Sequence, residues 1–581
     1  MVVRSVFTRL LMIGAVIALG VGLGWAADDG LDCAPHPHGH HGFPTKVFTR
    51  YGVLKGFYNT PNTVAWTGVP FAKPPVDDLR WKAPQDPEPW DGERDATQPC
   101  VPCAQLYTAP NWSKTQEMIG SEDCLYLSIY RPRNPRHDLP VYVYMHGGAN
   151  HFGSANDYDG STIADKSQMV VVIVQQRLGP LGWFAHPALR HGENPLDDSG
   201  NFGTLDNLKA LQWVRRNIRA FGGNPRNVTI TGESAGAHNV MNMVVSPLAR
   251  GLFHRAMSQS GGMLPKTVAE GEAMSDEILI PVLAQQNLTL AQFKAWSLEE
   301  QESYLRGLDA GELWVPILHT IGYMTFDAFQ DGHVIPGSVT ATIRSGDYNR
   351  VPIILGANKS ESKAFMPLYG PMLRMPWANL IGVLEGVTPS IDSVLPTDFD
   401  KHLYQTAAYY GSRNWRAKFV DERARALKEQ QERVYAYQFN WGEPGSGPTP
   451  FNLVYGAMHT LDIPFFFGEE RDVWEYAFTP ETDTAGRQAL SDLMMKYLAN
   501  FARTGNPNGC GLPRWEKWSN EAGAPKAILF DADAEQALVS MSTEEVSILD
   551  EMAKLEAEIA TWGPYKAYGP IAGAFQWQMP E

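Results

Sequence analysis

The stretch VTITGESAGAHNV, residues 228–240, decides how the rest of the chain is read. A β-branched run, VTIT, ends in Gly232, and alanines, valine and methionine at helical spacing follow Gly236. The pattern predicts a strand that turns into a helix within about four residues, with Ser234 between two glycines at the apex. A turn this sharp lifts a serine hydroxyl above the end of a sheet. A serine hydroxyl is a poor nucleophile at neutral pH, so the turn alone carries no chemistry unless a base and an acid are supplied elsewhere.

Working outward, further short β-rich runs recur: VYVYMHGG (141–148), MVVVIVQQR (169–177), RAMSQSG (255–261), VPIILGAN (351–358) and VYAYQFNW (434–441). Longer helix-compatible stretches lie between them, such as LDNLKALQWVRRNIRAF (205–221), which stops at Gly222-Gly223. Strands alternating with helices predict an α/β fold on a large, mostly parallel central sheet flanked by helices. Residues 262–350 interrupt this alternation and are read as a helical cap insertion over the strand ends, where open α/β sheets bind ligands.

The partners of Ser234 must lie downstream if the acid follows a later strand and the base follows the last. Of 15 histidines, only His402 and His459 come after VPIILGAN. His402 sits in the helical pattern DFDKHLYQTAAYY, where a packing or surface role is the ordinary reading. His459 sits in YGAMHTLDIPFFFG, a loop-like segment from which an imidazole can reach back over the sheet. Glu361, in NKSES after VPIILGAN, is positioned to accept the other imidazole N–H and fix the tautomer. Donors for a carbonyl oxyanion are expected from Gly147-Gly148-Ala149, after the strand at 141, and from the N–H of Ala235.

Composition bounds the partners. A formal net charge of −16 argues against nucleic acid, since phosphate binding needs clustered lysine and arginine. Residues 1–26 read as a signal peptide, with Arg4 and Arg9 before an apolar run and Gly24-Trp25-Ala26 as a cleavage site; an uncleaved anchor is the alternative. Cleavage removes two positive charges, taking −16 to −18, and places the mature chain in a secreted or periplasmic compartment. Residues 27–46 carry His36, His38, His40 and His41 and are read as a flexible His-rich tail rather than a metal site. Residues 47–581 are read as a single domain. No metal or organic cofactor is called for, no stable membrane anchor is expected after cleavage, and the partner is a small molecule. Five cysteines, Cys33, Cys100, Cys103, Cys124 and Cys510, leave at least one unpaired within the chain.

The ensemble EDCLYLSIYRP (122–132), HGGAN (146–150), RLGPLGWFAHPAL (177–189), NFGTLDNLKALQWVRRNIRAFGGNPRNVTITGESAG (201–236), RAMSQSG, NKSES and MHTLDIPFFFG (458–468) resembles the type-B carboxylesterase and cholinesterase-like family of α/β-hydrolases. The resemblance runs from about Val47 to about Trp518. It implies Ser234, Glu361 and His459 as a catalytic triad, and the N–H groups of Gly148, Ala149 and Ala235 as an oxyanion hole. It further implies a disulfide between Cys103 and Cys124, and hydrolysis of carboxylic esters through an acyl-enzyme. The same triad would serve a lactone, an amide or a polyester, and a non-catalytic binding protein is the remaining alternative. Ala149 stands where the family has a glycine, and Asn150 where an aromatic is common, which points to a tighter or differently hydrated acyl side and to acyl groups of modest size. The segment between Cys103 and Cys124, which includes Trp112, does not reproduce a choline-binding loop. Glu233, beside the serine, is read as holding buried water, tuning His459 or making a structural hydrogen bond. Its charge, with that of the whole chain, is expected to set a negative potential that disfavours anionic esters.

Overall fold

The computed structural model describes residues 42–108, 114–314, 325–369, 373–446, 450–470 and 476–574. Residues 39–581 form one compact unit. Residues 1–26, on which the signal-peptide reading falls, the histidine tract, Cys33 and Trp112 lie outside the described residues.

The main sheet has eleven strands: β1 (Phe57–Thr60), β2 (Thr63–Pro70), β3 (Tyr126–Pro132), β4 (Leu139–Met145), β5 (Val170–Val174), β6 (Gly223–Glu233), β7 (Arg255–Gln259), β8 (Ile353–Asn358), β9 (Val434–Phe439), β10 (Ala527–Ala532) and β11 (Ala537–Ser542). Across the sheet they lie in the order β11-β10-β9-β8-β7-β6-β4-β5-β3-β2-β1. The seven strands from β5 to β10 pair in parallel. Antiparallel strands finish both edges.

The central strands read as near-continuous apolar runs because both faces are covered. Every residue of β4 and β5 is buried. Alternate side chains feed two separate cores, as the period of two requires. Val141, Val143 and Met145 join one cluster with Val170, Val172 and Val174. Tyr142 and Tyr144 join the other with Val171 and Ile173.

Helix α1 (Phe202–Asn217) begins three residues before the stretch read as helical. It gives way to a 3₁₀ turn over Ile218–Phe221, and Gly222 then takes φ 77°, a left-handed conformation suited to glycine at a helix end. Helix α2 (Ala235–Val245) follows β6 directly. Inside α1, Asp206 accepts from the backbone N–H, Nε and Nη2 of Arg177 at 3.0, 2.9 and 2.7 Å. This buried fork pins RLGPLG beneath the first helix.

Between β7 and β8 the chain makes an excursion from the sheet. Its helices Val268–Gln285, Leu290–Lys294 and Leu298–Gly307 each open on a capping box, formed by Thr267 with Glu270, Thr289 with Gln292, and Ser297 with Glu300. A short parallel bridge, Lys266–Thr267 with Phe329–Gln330, closes the excursion at its base.

Cys103 and Cys124 are joined, as the resemblance implied, with a sequence separation of 21. In the chain-entropy picture a closed loop of this length contributes about 3 kcal/mol. Cys100 is buried and Cys510 exposed, both as free thiols. Among the described residues no helix is long and apolar enough to cross a membrane.

Candidate active site

Parallel strands deliver their following loops to one edge of the sheet, and the candidate residues sit there. β6 pairs with β4 so that Gly232 lies opposite Met145, and with β7 so that Glu233 lies opposite Gln259. Ser234 therefore emerges between two strand ends. Its N–H donates to the carbonyl of Gln259 at 2.9 Å.

Ser234 adopts φ 57°, ψ −124° and is partly exposed. Two glycines force that conformation. A Cβ on Gly236 would lie 1.9 Å from the carbonyl oxygen of Met145, and one on Gly232 would lie 2.5 Å from the carbonyl carbon of Gly236. Helix α2 can start this close to the sheet only without those side chains, and the serine between absorbs the bend.

The turn after β4 faces the serine. A Cβ on Gly147 would lie 3.1 Å from Ser234 Cβ and 3.0 Å from Glu233 Oε2. Gly148, Ala149 and Asn150 follow with φ of 92°, 56° and 57°, three successive left-handed residues. Gly148 is compelled to be glycine, since a Cβ would meet the carbonyl oxygen of Phe152 at 2.1 Å.

Glu361 begins a 3₁₀ turn after β8 and is fully buried. Its Oε1 accepts from the N–H of Asn358 at 2.6 Å, and its Oε2 lies 2.6 Å from His459 Nδ1. His459 is also fully buried, with Phe365 and Trp415 at ring-centroid distances of 5.0 and 5.1 Å. Its Nε2 lies 3.2 Å from Glu233 Oε1 and has no hydrogen-bond partner among the described residues. Glu361 and His459 are thus in contact at the edge where Ser234 emerges. His402 is half-exposed on the helix Asp398–Arg416, 3.2 Å from Glu558.

Two residues that sequence reading passed over complete the surroundings. Asp462 is buried three residues beyond His459, receiving the Tyr437 hydroxyl at 2.6 Å and the amides of Gln259 and Asn358 at 3.3 Å each. Its place in HTLDIP, polar among apolar residues, was the available signal. Asn239, on α2, bonds to Asn150 at 3.0 Å.

Three carboxylates therefore surround one imidazole. Burial pushes Glu233 well above the usual carboxylate range, and the nearby His459 recovers only part of the shift. Burial likewise raises Asp462. For His459 burial acts downward, but Glu233 and Glu361 more than offset it and the net direction is upward. A neutral Glu233 removes the first of those two contributions.

The family profile described as "Carboxylesterase family" matches residues 44–418 and 385–547. Carboxylesterase 1E of Rattus norvegicus is 31% identical, over 90% of this chain and 93% of its own length. Cocaine esterase of Homo sapiens is 34% identical, over 78% of this chain and 81% of its own. Among solved structures, a carboxylesterase of Geobacillus stearothermophilus superposes with a TM-score of 0.67 at 30% identity, covering 88% of this chain and 99% of its own. A PNB esterase superposes with a TM-score of 0.66 at 28% identity.

The backbone at Ser234 carries a stability consequence separate from any chemistry. Ser234→Gly relieves the left-handed strain that Ser234→Ala retains, so the glycine variant is expected to be the more stable of the two by about 1–2 kcal/mol. Thermal unfolding of both variants checks this. A lower midpoint for Ser234→Gly would contradict the strain.

Proposed function

The chain belongs to the carboxylesterase family and is a carboxylic ester hydrolase, and from that premise we propose that Ser234, Glu361 and His459 are its catalytic triad. The observation that carries the assignment is the buried 2.6 Å contact between Glu361 and His459 Nδ1, made at the strand edge from which Ser234 projects. Glu361 fixes the tautomer that leaves Nε2 unprotonated, and Nε2 is the nitrogen with no hydrogen-bond partner among the described residues. Catalytic hydrogen bonds commonly close only when substrate is bound, so Nε2 takes up the Ser234 proton as the hydroxyl swings toward it.

Ser234 Oγ attacks the ester carbonyl carbon while His459 Nε2 takes its proton. The N–H groups of Gly148, Ala149 and Ala235 receive the oxyanion. The tetrahedral species collapses, His459 returns the proton to the departing alcohol, and an acyl-Ser234 ester remains. Water, deprotonated by His459, then attacks that ester, and the acid leaves as Ser234 is reprotonated. The excursion between β7 and β8 is the segment we assign to the alcohol side of the substrate. A lactone or an amide would enter by the same steps, since leaving group and pocket shape separate these substrates.

The Cys103–Cys124 bridge supports export under the leader at residues 1–26, because such bridges persist in oxidising compartments.

Ser234→Ala and His459→Ala are each expected to lower kcat on a p-nitrophenyl ester by about 10⁴-fold or more, since triad members act as a unit. His402→Ala should leave turnover near the parent value. Steady-state kinetics on folded variants check all three, and substantial turnover by either of the first two would overturn the triad.

The buried Glu233 yields a test by pH. Glu233 is the first of the charges that raise His459, and His459 must lose its proton to act as base on the acid limb of kcat/KM. Glu233→Gln removes that charge, so the limb is expected to move to lower pH. A limb that keeps its midpoint would show that Glu233 is protonated there and holds no proton on His459.

A further inference from the structure

Asn150 ends the left-handed run at the proposed oxyanion turn, and its side chain is wholly buried. The carboxamide points away from solvent, between the turn, the nucleophile helix and the end of the excursion. Its Oδ1 accepts from Asn239 Nδ2 at 3.0 Å, and its Nδ2 donates to the Phe326 carbonyl at 2.8 Å. The backbone carbonyl of the same residue accepts from the N–H of Gly179 at 2.7 Å. Asn150 is therefore held by α2, by the Phe326 carbonyl and by Gly179 at once.

The neighbouring polar groups extend the same junction. On α2, His238 Nε2 lies 2.6 Å from Asp327 Oδ2, and Asn242 donates to Asp327 Oδ1 at 3.4 Å. Three polar residues of α2, His238, Asn239 and Asn242, thus meet Asn150 or the residue after Phe326. All three are fully buried. Buried amides in an apolar core are costly unless they bond to one another, so the pairing is specific to this arrangement.

The geometry matters because the proposed oxyanion donors come from two elements. Gly148 and Ala149 belong to the turn after β4, whereas Ala235 begins α2. Donors must lie about 2.7–3.1 Å from one oxygen, so a few tenths of an ångström of slip between turn and helix would spoil the hole. The turn is strained, and asparagine tolerates left-handed backbone better than a bulky apolar residue does. We propose that Asn150 and Asn239 are positioning residues, a latch that holds the oxyanion turn in register with the nucleophile helix and ties both to the end of the excursion at Phe326. This rests on the triad and oxyanion assignment made above.

The test is a mutant cycle with Asn150→Ala, Asn239→Ala and the double variant, with Asn239→Asp as an isosteric arm that replaces the donor by a carboxylate oxygen. Active sites are titrated, and kcat, KM, thermal midpoint and the affinity of a trifluoromethyl ketone, which forms an oxyanion on binding, are measured. The latch predicts that each single variant loses about 10- to 100-fold in kcat, short of the loss of a whole donor. KM should stay within about twofold, ketone affinity should fall in parallel, and the double variant should be no worse than the poorer single one. Asn239→Asp should be as slow as Asn239→Ala despite its shape, and it serves if the alanine variant does not fold. A fallen thermal midpoint with unchanged kcat per titrated site, or strictly additive losses, would overturn the latch. Ser234→Ala run alongside separates the two readings. An inactive Ser234→Ala beside undiminished latch variants refutes the latch alone, and an active Ser234→Ala refutes both.

Discussion

The site depends on one close approach of backbone to backbone, that of Gly236 to the Met145 carbonyl. A methyl group there would sit 1.9 Å from that oxygen, so only glycine lets α2 begin directly above β4. Everything else at the elbow is a consequence. The helix starts one residue after Ser234, β6 runs to Glu233, and the serine between them is forced to φ 57°. The cost of that conformation is borne by a sheet whose central strands are buried on both faces and cannot yield locally.

The parallel sheet converts this local bend into a site. The turns after β4, β6, β8 and β9 all rise at one edge, so residues as far apart in sequence as Glu361 and His459 come into contact. Burial then sets the chemistry. Glu361 is the carboxylate bonded to the imidazole, whereas Glu233 and Asp462 are driven by burial toward their neutral forms.

Much of this was legible in the sequence, for physical reasons that differ by residue. Ser234 was readable because the elbow needs glycines at fixed offsets. His459 was readable because chain order left only it and His402, and His402 lay in a helical pattern. The strands were readable because doubly buried strands are continuous apolar runs. Asn239 and Asp462 were not. Their roles come from pairings across 89 residues to Asn150 and 104 residues to Asn358, and no local pattern encodes those. The bonds of Asn150 were not legible either, because its place in HGGAN says nothing of which way the side chain turns. The capping boxes of the excursion were present as T-x-x-E and S-x-x-E patterns and would have sharpened its helix starts.

The most direct test of the account is to label the intact protein with an organophosphonate and map the adduct by mass spectrometry. The account predicts one adduct per chain, on the peptide carrying Ser234, with ester hydrolysis lost in proportion to labelling. An adduct on another serine, or full loss of activity with Ser234 unmodified, would contradict it.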